Sequence, residues 1–266
     1  MATTTEKPAK KTPPASQKQS IKERRAAQKQ RQQRQQQILL TIVAVALLVG
    51  VILMVFISTR PAEAYMPPEV PARYKDFAAQ KLMGVTPDGY PYLGAENAPT
   101  TLEEIGSFSC IVCQQYHKDV FVNLLDKFKS GQAKFVYIPV TTTGEFNPDG
   151  ATRGALCAAQ QGKFWEMHDI LFDWQTRYGS GANDAGRLTT AAGALGMDTG
   201  QFSACLNSQA VKDLIAKAQA EADKRGMTGT PTVFLDGKQI QPVPQDQHVP
   251  TLAELRGLIE AKAAAR

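Results

Sequence analysis

The hydrophobic and polar residues divide the chain into segments of different character. Residues 1–37 are rich in Lys, Gln, Thr and Pro and carry no apolar stripe. Residues 38–57 are almost entirely apolar and uncharged. Four prolines follow within residues 58–72, a composition typical of an extended spacer. The rest, about residues 73–266, mixes short apolar runs with helical periodicity and is long enough to bury one substantial core.

In this last part, the apolar pattern predicts strands, then helices, then strands again. The predicted strands cover residues 100–105, 134–138, 232–235 and 238–240. The predicted helices cover a stretch after Cys110, a long region from about 150 to 225, and residues 252–264. The dipeptide Asp236-Gly237 is a favoured two-residue hairpin turn between the last two strands. The predicted order is therefore βαβ, a helical insertion, and ββα.

Composition and charge narrow the class of protein. With 43% apolar residues and 4 Cys, the chain is neither wholly disordered nor collagen-like, and it is not a small disulfide-stapled scaffold. The formal net charge of +5 is unevenly distributed, because residues 1–37 hold ten Lys/Arg against only Glu6 and Glu23. This tail carries +8 and residues 38–57 carry none, so residues 58–266 carry −3. The main domain is mildly acidic, and no nucleic-acid partner is predicted for it.

The apolar segment is predicted to be a membrane anchor. Twenty helical residues span about 30 Å, the thickness of the hydrocarbon core of a bilayer. The basic residues before the segment predict a cytoplasmic N-terminus and an extracytoplasmic domain. A cleaved signal peptide is the alternative, because Ala62-Glu63-Ala64 resembles a cleavage site, although the leader and the apolar run are both long for one. For the basic tail, binding to anionic lipid or nucleic acid is the alternative to a solvated cytoplasmic segment.

The candidate chemistry is a Cys-x-x-Cys pair, Cys110 and Cys113, at the junction of the first predicted strand and the helix. A helix N-terminus stabilises a thiolate through its unpaired N–H groups and its dipole. Two cysteines three residues apart can close a small disulfide, with one sulfur open to attack and the other placed to resolve a mixed disulfide. Cys110 is therefore the predicted nucleophile and Cys113 the predicted resolving thiol.

Two other interpretations of the pair stay open. Zinc requires four ligands, usually from a second close pair, but the remaining cysteines, Cys157 and Cys205, are 48 residues apart. His117 is expected at a helix surface and His168 at a helix surface or as a capping residue, rather than as ligands, and neither metal nor cofactor is predicted. The second interpretation is a purely structural disulfide between Cys110 and Cys113.

Four motifs in order resemble the DsbA-like thiol:disulfide oxidoreductases of the thioredoxin superfamily. They are the run from Ala98 to Glu104, the cysteine pair, Gly229-Thr230-Pro231-Thr232, and Leu156-Cys157-Ala158 with the stretch from Gln161 to Asp169. The last motif is similar to the helical insertion of membrane-anchored and Gram-positive-type members. The resemblance covers about residues 84–262. It implies an α/β thioredoxin fold with an inserted helical domain, preceded here by one transmembrane helix and a disordered basic tail.

The resemblance also implies roles for individual residues. Cys110 and Cys113 match the redox pair, and Pro231 matches a proline that is cis and packs beside it. The backbone of Thr230 is then expected to bind an extended substrate next to Cys110. Glu104 matches a buried acid that helps to move protons under the Cys-x-x-Cys helix. Its alternative is an exposed carboxylate, because neighbouring strand residues face opposite sides and the register decides which one is buried.

The chain departs from the family pattern between the cysteines. Ile111 and Val112 bring neither a charge nor a hydrogen-bond donor, so the thiolate is expected to depend on backbone N–H groups and the helix dipole, which places a strongly oxidising potential in doubt. Ser107 also stands where many relatives have Asp. Once the redox pair is assigned, Cys157 and Cys205 are left to form a structural disulfide, with two free buried thiols as the alternative. The aromatic residues of the insertion are expected to be packing residues: Phe164, Trp165, Phe172 and Trp174.

These inferences predict a linker over residues 58–83 and a domain over residues 84–266, with the insertion at about 147–225. The predicted function is disulfide donation to exported proteins with free thiols, by an enzyme anchored in the lipid bilayer and reoxidised by a quinone-linked membrane partner that the resemblance implies. A reductase or isomerase of extracytoplasmic disulfides is the first alternative. A tethered binding or chaperone module with a structural Cys-x-x-Cys is the second.

Overall fold

The computed structural model describes residues 15–58, 62–240 and 249–265. The chain forms two compact units, residues 1–60 and 61–266. The first unit contains helix α1, Ala15–Ser58, which joins the described part of the basic tail and the apolar segment in one helix. Its stretch Arg24–Val55 includes a window of mean hydropathy 3.2, so the helix is long and apolar enough to cross a membrane.

The second unit is built on a six-stranded mixed sheet with the order β1-β2-β4-β3-β5-β6. Strands β3 and β4 lie at the centre and are parallel, while every other neighbouring pair is antiparallel. The strands are β1 Met83–Val85, β2 Pro91–Leu93, β3 Thr101–Gly106, β4 Lys134–Pro139, β5 Thr232–Leu235 and β6 Lys238–Gln239. The predicted thioredoxin fold is confirmed.

Helices cover the sheet and form the insertion. The helices of this unit are α2 Glu69–Ala79, α3 Ile111–Tyr116, α4 Leu125–Lys129, α5 Asp149–Ala159, α6 Phe164–Tyr178, α7 Ala185–Ala194, α8 Thr199–Leu206, α9 Gln209–Lys224 and α10 Leu252–Ala264. A π turn, His117–Phe121, and a 3-10 turn, Val122–Leu124, connect α3 to α4. Five helices, α5 to α9, therefore lie in the segment predicted to be the insertion.

The hairpin between β5 and β6 follows from its two turn residues. Asp236 has φ 49° and Gly237 has φ 76°. A two-residue type I′ turn requires positive φ at both positions, a conformation that glycine adopts without strain and Asp tolerates. The turn therefore occurs at the dipeptide from which the hairpin was predicted.

The extended spacer predicted over residues 58–72 is wrong at its C-terminal end, where the structure has a helix. Helix α2 occupies Glu69–Ala79, and its residues Val70, Tyr74 and Phe77 are at most 2% exposed. Their spacing of four and three residues places them on one helical face that packs into the core. The prolines do not prevent this helix, because the N–H groups of a first turn have no partner within the helix.

Candidate active site

Cys110 is placed by the end of strand β3 and the start of helix α3. It is the residue before the helix, with an extended backbone, and its Sγ accepts the backbone N–H of Cys113 at 3.4 Å. Both cysteines are free thiols in this structure. Cys113 is fully buried, whereas Cys110 retains 8% of its exposure. Cys110 is therefore the less buried residue of the pair.

The turn before β5 forms the other wall of the site. The Thr230–Pro231 peptide bond is cis, and the Cys110 thiol donates to the carbonyl oxygen of Thr230 at 3.1 Å. Because β5 pairs antiparallel with β3, with Thr232 opposite Ile105, the turn reaches the end of the sheet from which Cys110 emerges. Folding thus joins residues that are 120 positions apart in sequence.

The two sulfurs differ strongly in acidity. The hydrogen bond with the Cys113 side chain is the main cause that lowers the pKa of Cys110 to about 5, against the opposing effect of burial. Hydrogen bonds from the side chain of Thr230 and from the backbone of Cys113 and Val112 contribute to the same lowering. Burial raises the pKa of Cys113 well above its usual value, and its interactions with Cys110 and Glu104 add to this rise. Cys110 is therefore the thiolate of the pair at neutral pH.

These contacts modify the prediction, drawn from the apolar residues Ile111 and Val112, that the thiolate depends only on backbone N–H groups and the helix dipole. The two side chains are exposed, by 52% and 37%, and bring no charge to the sulfur. The thiolate depends on backbone N–H groups, as expected, but also on the side chains of Cys113 and Thr230. A strongly lowered pKa therefore does not require a cation or a polar residue between the cysteines.

Glu104 is the buried member of two neighbouring glutamates on β3. Glu104 is 3% exposed, and burial together with the charge of Cys110 raises its pKa well above the usual value. Glu103 points to the opposite face of the sheet, where both of its carboxylate oxygens accept the Arg225 guanidinium at 3.1 Å. The side chain of Glu104 thus shares the interior with Cys113, whose pKa it affects.

The loop after β4 belongs to the site, although the sequence analysis did not assign it. The hydroxyl groups of Ser107 and Ser109 donate to the carbonyl oxygen of Thr143 at 2.7 and 3.1 Å. The segments that follow two parallel neighbouring strands leave the sheet at the same edge. The polar run from Thr141 to Gly144, directly after a predicted strand, was therefore a signal for this contact.

The surface positions expected for His117 and His168 are wrong. They are 7% and 1% exposed, and both hydrogen-bond Asp169 Oδ1, at 2.7 Å from His117 Nε2 and 3.2 Å from His168 Nδ1. Tyr74 donates to the same oxygen at 2.8 Å, and Arg73 pairs with Oδ2. His117, His168 and Asp169 each bring one potential ligand atom to within 4.8 Å of the others, a spacing that could also hold a metal ion. The hydrogen bonds and the Arg73 cation instead make the cluster an internally neutralised polar network.

The insertion contains the disulfide expected between Cys157 and Cys205. It links α5 to α8 with a Cα–Cα distance of 5.7 Å. The four aromatic residues expected to be packing residues are all at most 3% exposed. The bridge and the aromatic core therefore stabilise the insertion, while Cys110 and Cys113 remain available for exchange.

Comparisons with known proteins agree with this geometry. The sequence profile of the thioredoxin family matches residues 86–261. Disulfide bond formation protein D of Bacillus subtilis is 27% identical over 168 residues, which cover 58% of this chain and 70% of that protein. The Na(+)/H(+) antiporter NhaA 3 of Salinispora tropica is 30% identical over 158 residues, but this chain spans only 23% of the antiporter's length.

The solved structures agree on the fold. Oxidised BdbD from Bacillus subtilis has a TM-score of 0.57 at 22% identity, and the match covers 69% of this chain and 98% of that one. The family profile, the fold and the position of the cysteine pair lead to one assignment. The chain belongs to the thioredoxin family and, within it, is similar to the DsbA-like thiol:disulfide oxidoreductases.

Proposed function

We propose that this protein is a membrane-anchored enzyme that donates the Cys110–Cys113 disulfide to exported proteins. The observation that supports it best is the position of Cys110, an acidic thiol at a helix N-terminus that also contacts the Thr230 carbonyl oxygen. An extended substrate can pair with the backbone of Thr230 and so bring its own sulfur to Cys110. Pro231 completes this wall of the site.

The exchange proceeds in two steps. A substrate thiolate attacks Cys110 Sγ of the disulfide, which forms a mixed disulfide and releases Cys113 as a thiolate. Because the pKa of Cys113 is high, this sulfur takes up a proton. Glu104 is the buried acid that can supply it. The second substrate thiol loses its proton to solvent, and the resulting thiolate attacks the substrate sulfur of the mixed disulfide and releases Cys110 as a thiolate. The substrate loses two electrons and gains a disulfide, while the enzyme becomes a dithiol.

The acidity of Cys110 favours this direction over reduction. A disulfide is a strong oxidant when its reduced form is stabilised, and a low thiol pKa stabilises that form as the thiolate. Lowering the pKa of Cys110 to about 5 keeps this sulfur ionised at neutral pH. Repeated turnover then requires an external oxidant, for which we propose a quinone-linked membrane protein.

Helix α1 supports a location at the membrane. Its apolar segment follows a tail of charge +8, which favours a cytoplasmic N-terminus and a catalytic domain outside the cytoplasm. Disulfides persist in that compartment, where newly exported thiols are the substrates. Protease added to intact cells should then degrade the domain, and the mature chain should retain α1. A mature N-terminus at Tyr65 would contradict the anchor.

The function is tested with the purified full chain in detergent micelles. The oxidised protein is mixed with a reduced, unfolded ribonuclease, and substrate thiols are counted over time. We expect stoichiometric oxidation by the wild type and none by Cys110→Ser. Equilibration with glutathione then gives the direction: an oxidising potential supports donation, whereas a strongly reducing one indicates a reductase. A binding or chaperone module would be indifferent to Cys110→Ser.

A further inference from the structure

The loop between β4 and α5 packs directly on the segment that leads into Cys110. The backbone N–H of Val140 donates to the Gly106 carbonyl oxygen, and that of Glu145 donates to the Ser109 carbonyl oxygen, both at 2.9 Å. Gly144 permits the approach, because it has φ +116° and a Cβ at this position would collide with the Ser109 side chain. The loop is therefore held against the residue that precedes the nucleophile.

Thr143 is the residue of this loop that contacts both walls of the site. Its carbonyl oxygen accepts the hydroxyl groups of Ser107 and Ser109, on the Cys110 side. Its own hydroxyl lies 2.9 Å from the hydroxyl of Thr230. When Cys110 is protonated, its thiol in turn donates to the Thr230 carbonyl oxygen at 3.1 Å. These contacts close a ring that runs from Cys110 through Ser109 and Thr143 to Thr230 and back.

We propose that Thr143 is a positioning residue for disulfide exchange, which holds the Thr230 turn at its working distance from Cys110 and orients the Thr230 hydroxyl toward the sulfur. This inference rests on the proposed function, because it assigns a role in the same site. Thr143 does not touch the reacting sulfur and acts only through Thr230.

The role depends on which hydroxyl donates. Between two hydroxyl groups only one proton lies on the line of contact. When Thr143 donates to the Thr230 oxygen, the Thr230 proton is free to bond the Cys110 thiolate, and each hydrogen bond strengthens the next. The Thr230 side chain is one of the groups that lower the pKa of Cys110, after the larger effect of Cys113. Loss of the Thr143 hydroxyl should therefore raise the pKa of Cys110.

The neighbouring Thr142 provides a matched control. Its hydroxyl donates to Gln219 Oε1 on helix α9 at 2.9 Å. A Thr-to-Val change at either position removes one hydroxyl from the same loop and preserves the shape of the side chain. Only the change at Thr143 interrupts the ring around Cys110.

The experiment follows the alkylation of Cys110 by iodoacetamide as a function of pH in the reduced full chain, with modified peptides identified by mass spectrometry. We expect Thr143→Val to raise the midpoint by about 0.5 to 1 pH unit, the effect of one hydrogen bond. Thr143→Ser should restore the wild-type midpoint, and Thr142→Val should leave it unchanged. The rate of ribonuclease oxidation should fall in Thr143→Val and recover in Thr143→Ser.

A midpoint in Thr143→Val equal to that of the wild type would overturn the proposal, as would an equal shift in Thr142→Val. If Thr143→Val does not fold, Thr143→Ala is measured instead, and failure of both to fold would show a structural role and also overturn it. The titration needs no protein substrate. A wild type that has the low midpoint but does not oxidise ribonuclease would therefore refute the proposed function separately.

Discussion

Arg73 and Asp169 form an ion pair that fixes helix α2 to helix α6 across 96 residues of sequence. The Asp169 side chain is 1% exposed and the Arg73 side chain 21%. Burial opposes the ionisation of Asp169, but its interactions with His117 and His168 outweigh burial and lower its pKa. The carboxylate is thus charged, and Arg73 balances it at the edge of the core.

Replacing this buried charge should destabilise the domain. We expect Asp169→Asn to lower the free energy of unfolding by about 3 kcal/mol, because it leaves Arg73 unpaired and disturbs three further hydrogen bonds. The two tryptophans of the chain, Trp165 and Trp174, both lie on α6. Their fluorescence during urea unfolding therefore reports on this domain rather than on α1.

Asp173→Asn is the matched control for this prediction. Asp173 lies one turn later on α6 and pairs with Arg177 at 3.1 Å, with both side chains at least one-third exposed. A pair of this kind contributes less than about 1 kcal/mol. Equal losses for the two variants would contradict the importance of the buried pair.

His168 should make the stability of the domain depend on pH. Burial lowers its pKa from 6.5 to about 4, so between these values the unfolded chain binds a proton that the folded chain does not. By linkage, the stability due to His168 is fully present above about pH 6.5 and is lost as the pH falls toward 4, by about 3 kcal/mol in total. Glu104, with its raised pKa, gives a slope of opposite sign above about pH 4.5.

The difference between wild type and His168→Phe isolates this effect. Phe suits a position surrounded by aromatic rings and does not titrate. With both proteins oxidised, so that Cys110 does not titrate, we expect the stability of the wild type to fall relative to His168→Phe on acidification from pH 6.5 to 4. Parallel stability curves over this range would refute the role of His168.

The parts of the fold that were predicted depend on residues that are close in sequence. The local geometry of the Cys110–Cys113 pair at a strand end, and of the Asp236-Gly237 turn, is determined by a few neighbouring residues. The resemblance of four ordered motifs then gave the fold that these local elements build. The family assignment and the fold class could therefore be made before any coordinates.

The parts that were missed depend on tertiary contacts. The prolines around α2 favour an extended segment in the sequence, whereas Val70, Tyr74 and Phe77 are buried by a core that distant residues form. The burial of His168 was not visible for the same reason, since its carboxylate and aromatic neighbours come from several elements. Whether Glu103 or Glu104 faces inward depends on the register of β3 against its neighbouring strands, which the sequence does not show.

The disulfide between Cys157 and Cys205 should stabilise the insertion without taking part in exchange. Replacing both cysteines by Ala should lower the free energy of unfolding by roughly 4 kcal/mol at most, from the loss of a 48-residue loop closure. Mild dithiothreitol should open the Cys110–Cys113 bond first, because Cys110 is the less buried residue of the pair and its low pKa stabilises the reduced form as a thiolate. Mass spectrometry of alkylated peptides records the order. Reduction of Cys157–Cys205 at the lower reductant concentration would contradict this assignment.

Glu104 should decrease stability and support catalysis at the same time. Its carboxyl group is buried with a raised pKa, and Oε1 has no hydrogen-bond partner among the residues that the structure describes. A buried polar group without a partner costs about 1–3 kcal/mol, so Glu104→Leu should stabilise the oxidised protein by a similar amount at pH 7.5. The variant should nevertheless exchange about 10- to 100-fold more slowly, because the proton that the released Cys113 sulfur needs has lost its nearest buried source.

The adjacent Glu103 separates this effect from a general disturbance of β3. Glu103→Leu changes the same strand by the same substitution, but on the opposite face, where the carboxylate pairs with Arg225. We expect this variant to exchange at the wild-type rate, although loss of the half-buried pair with Arg225 lowers its free energy of unfolding. Urea unfolding and ribonuclease oxidation, measured on both variants, test the two consequences independently. If Glu104→Leu exchanged as fast as Glu103→Leu, the buried acid would have no part in moving the proton, and Cys113 would have to take it from solvent when the mixed disulfide forms.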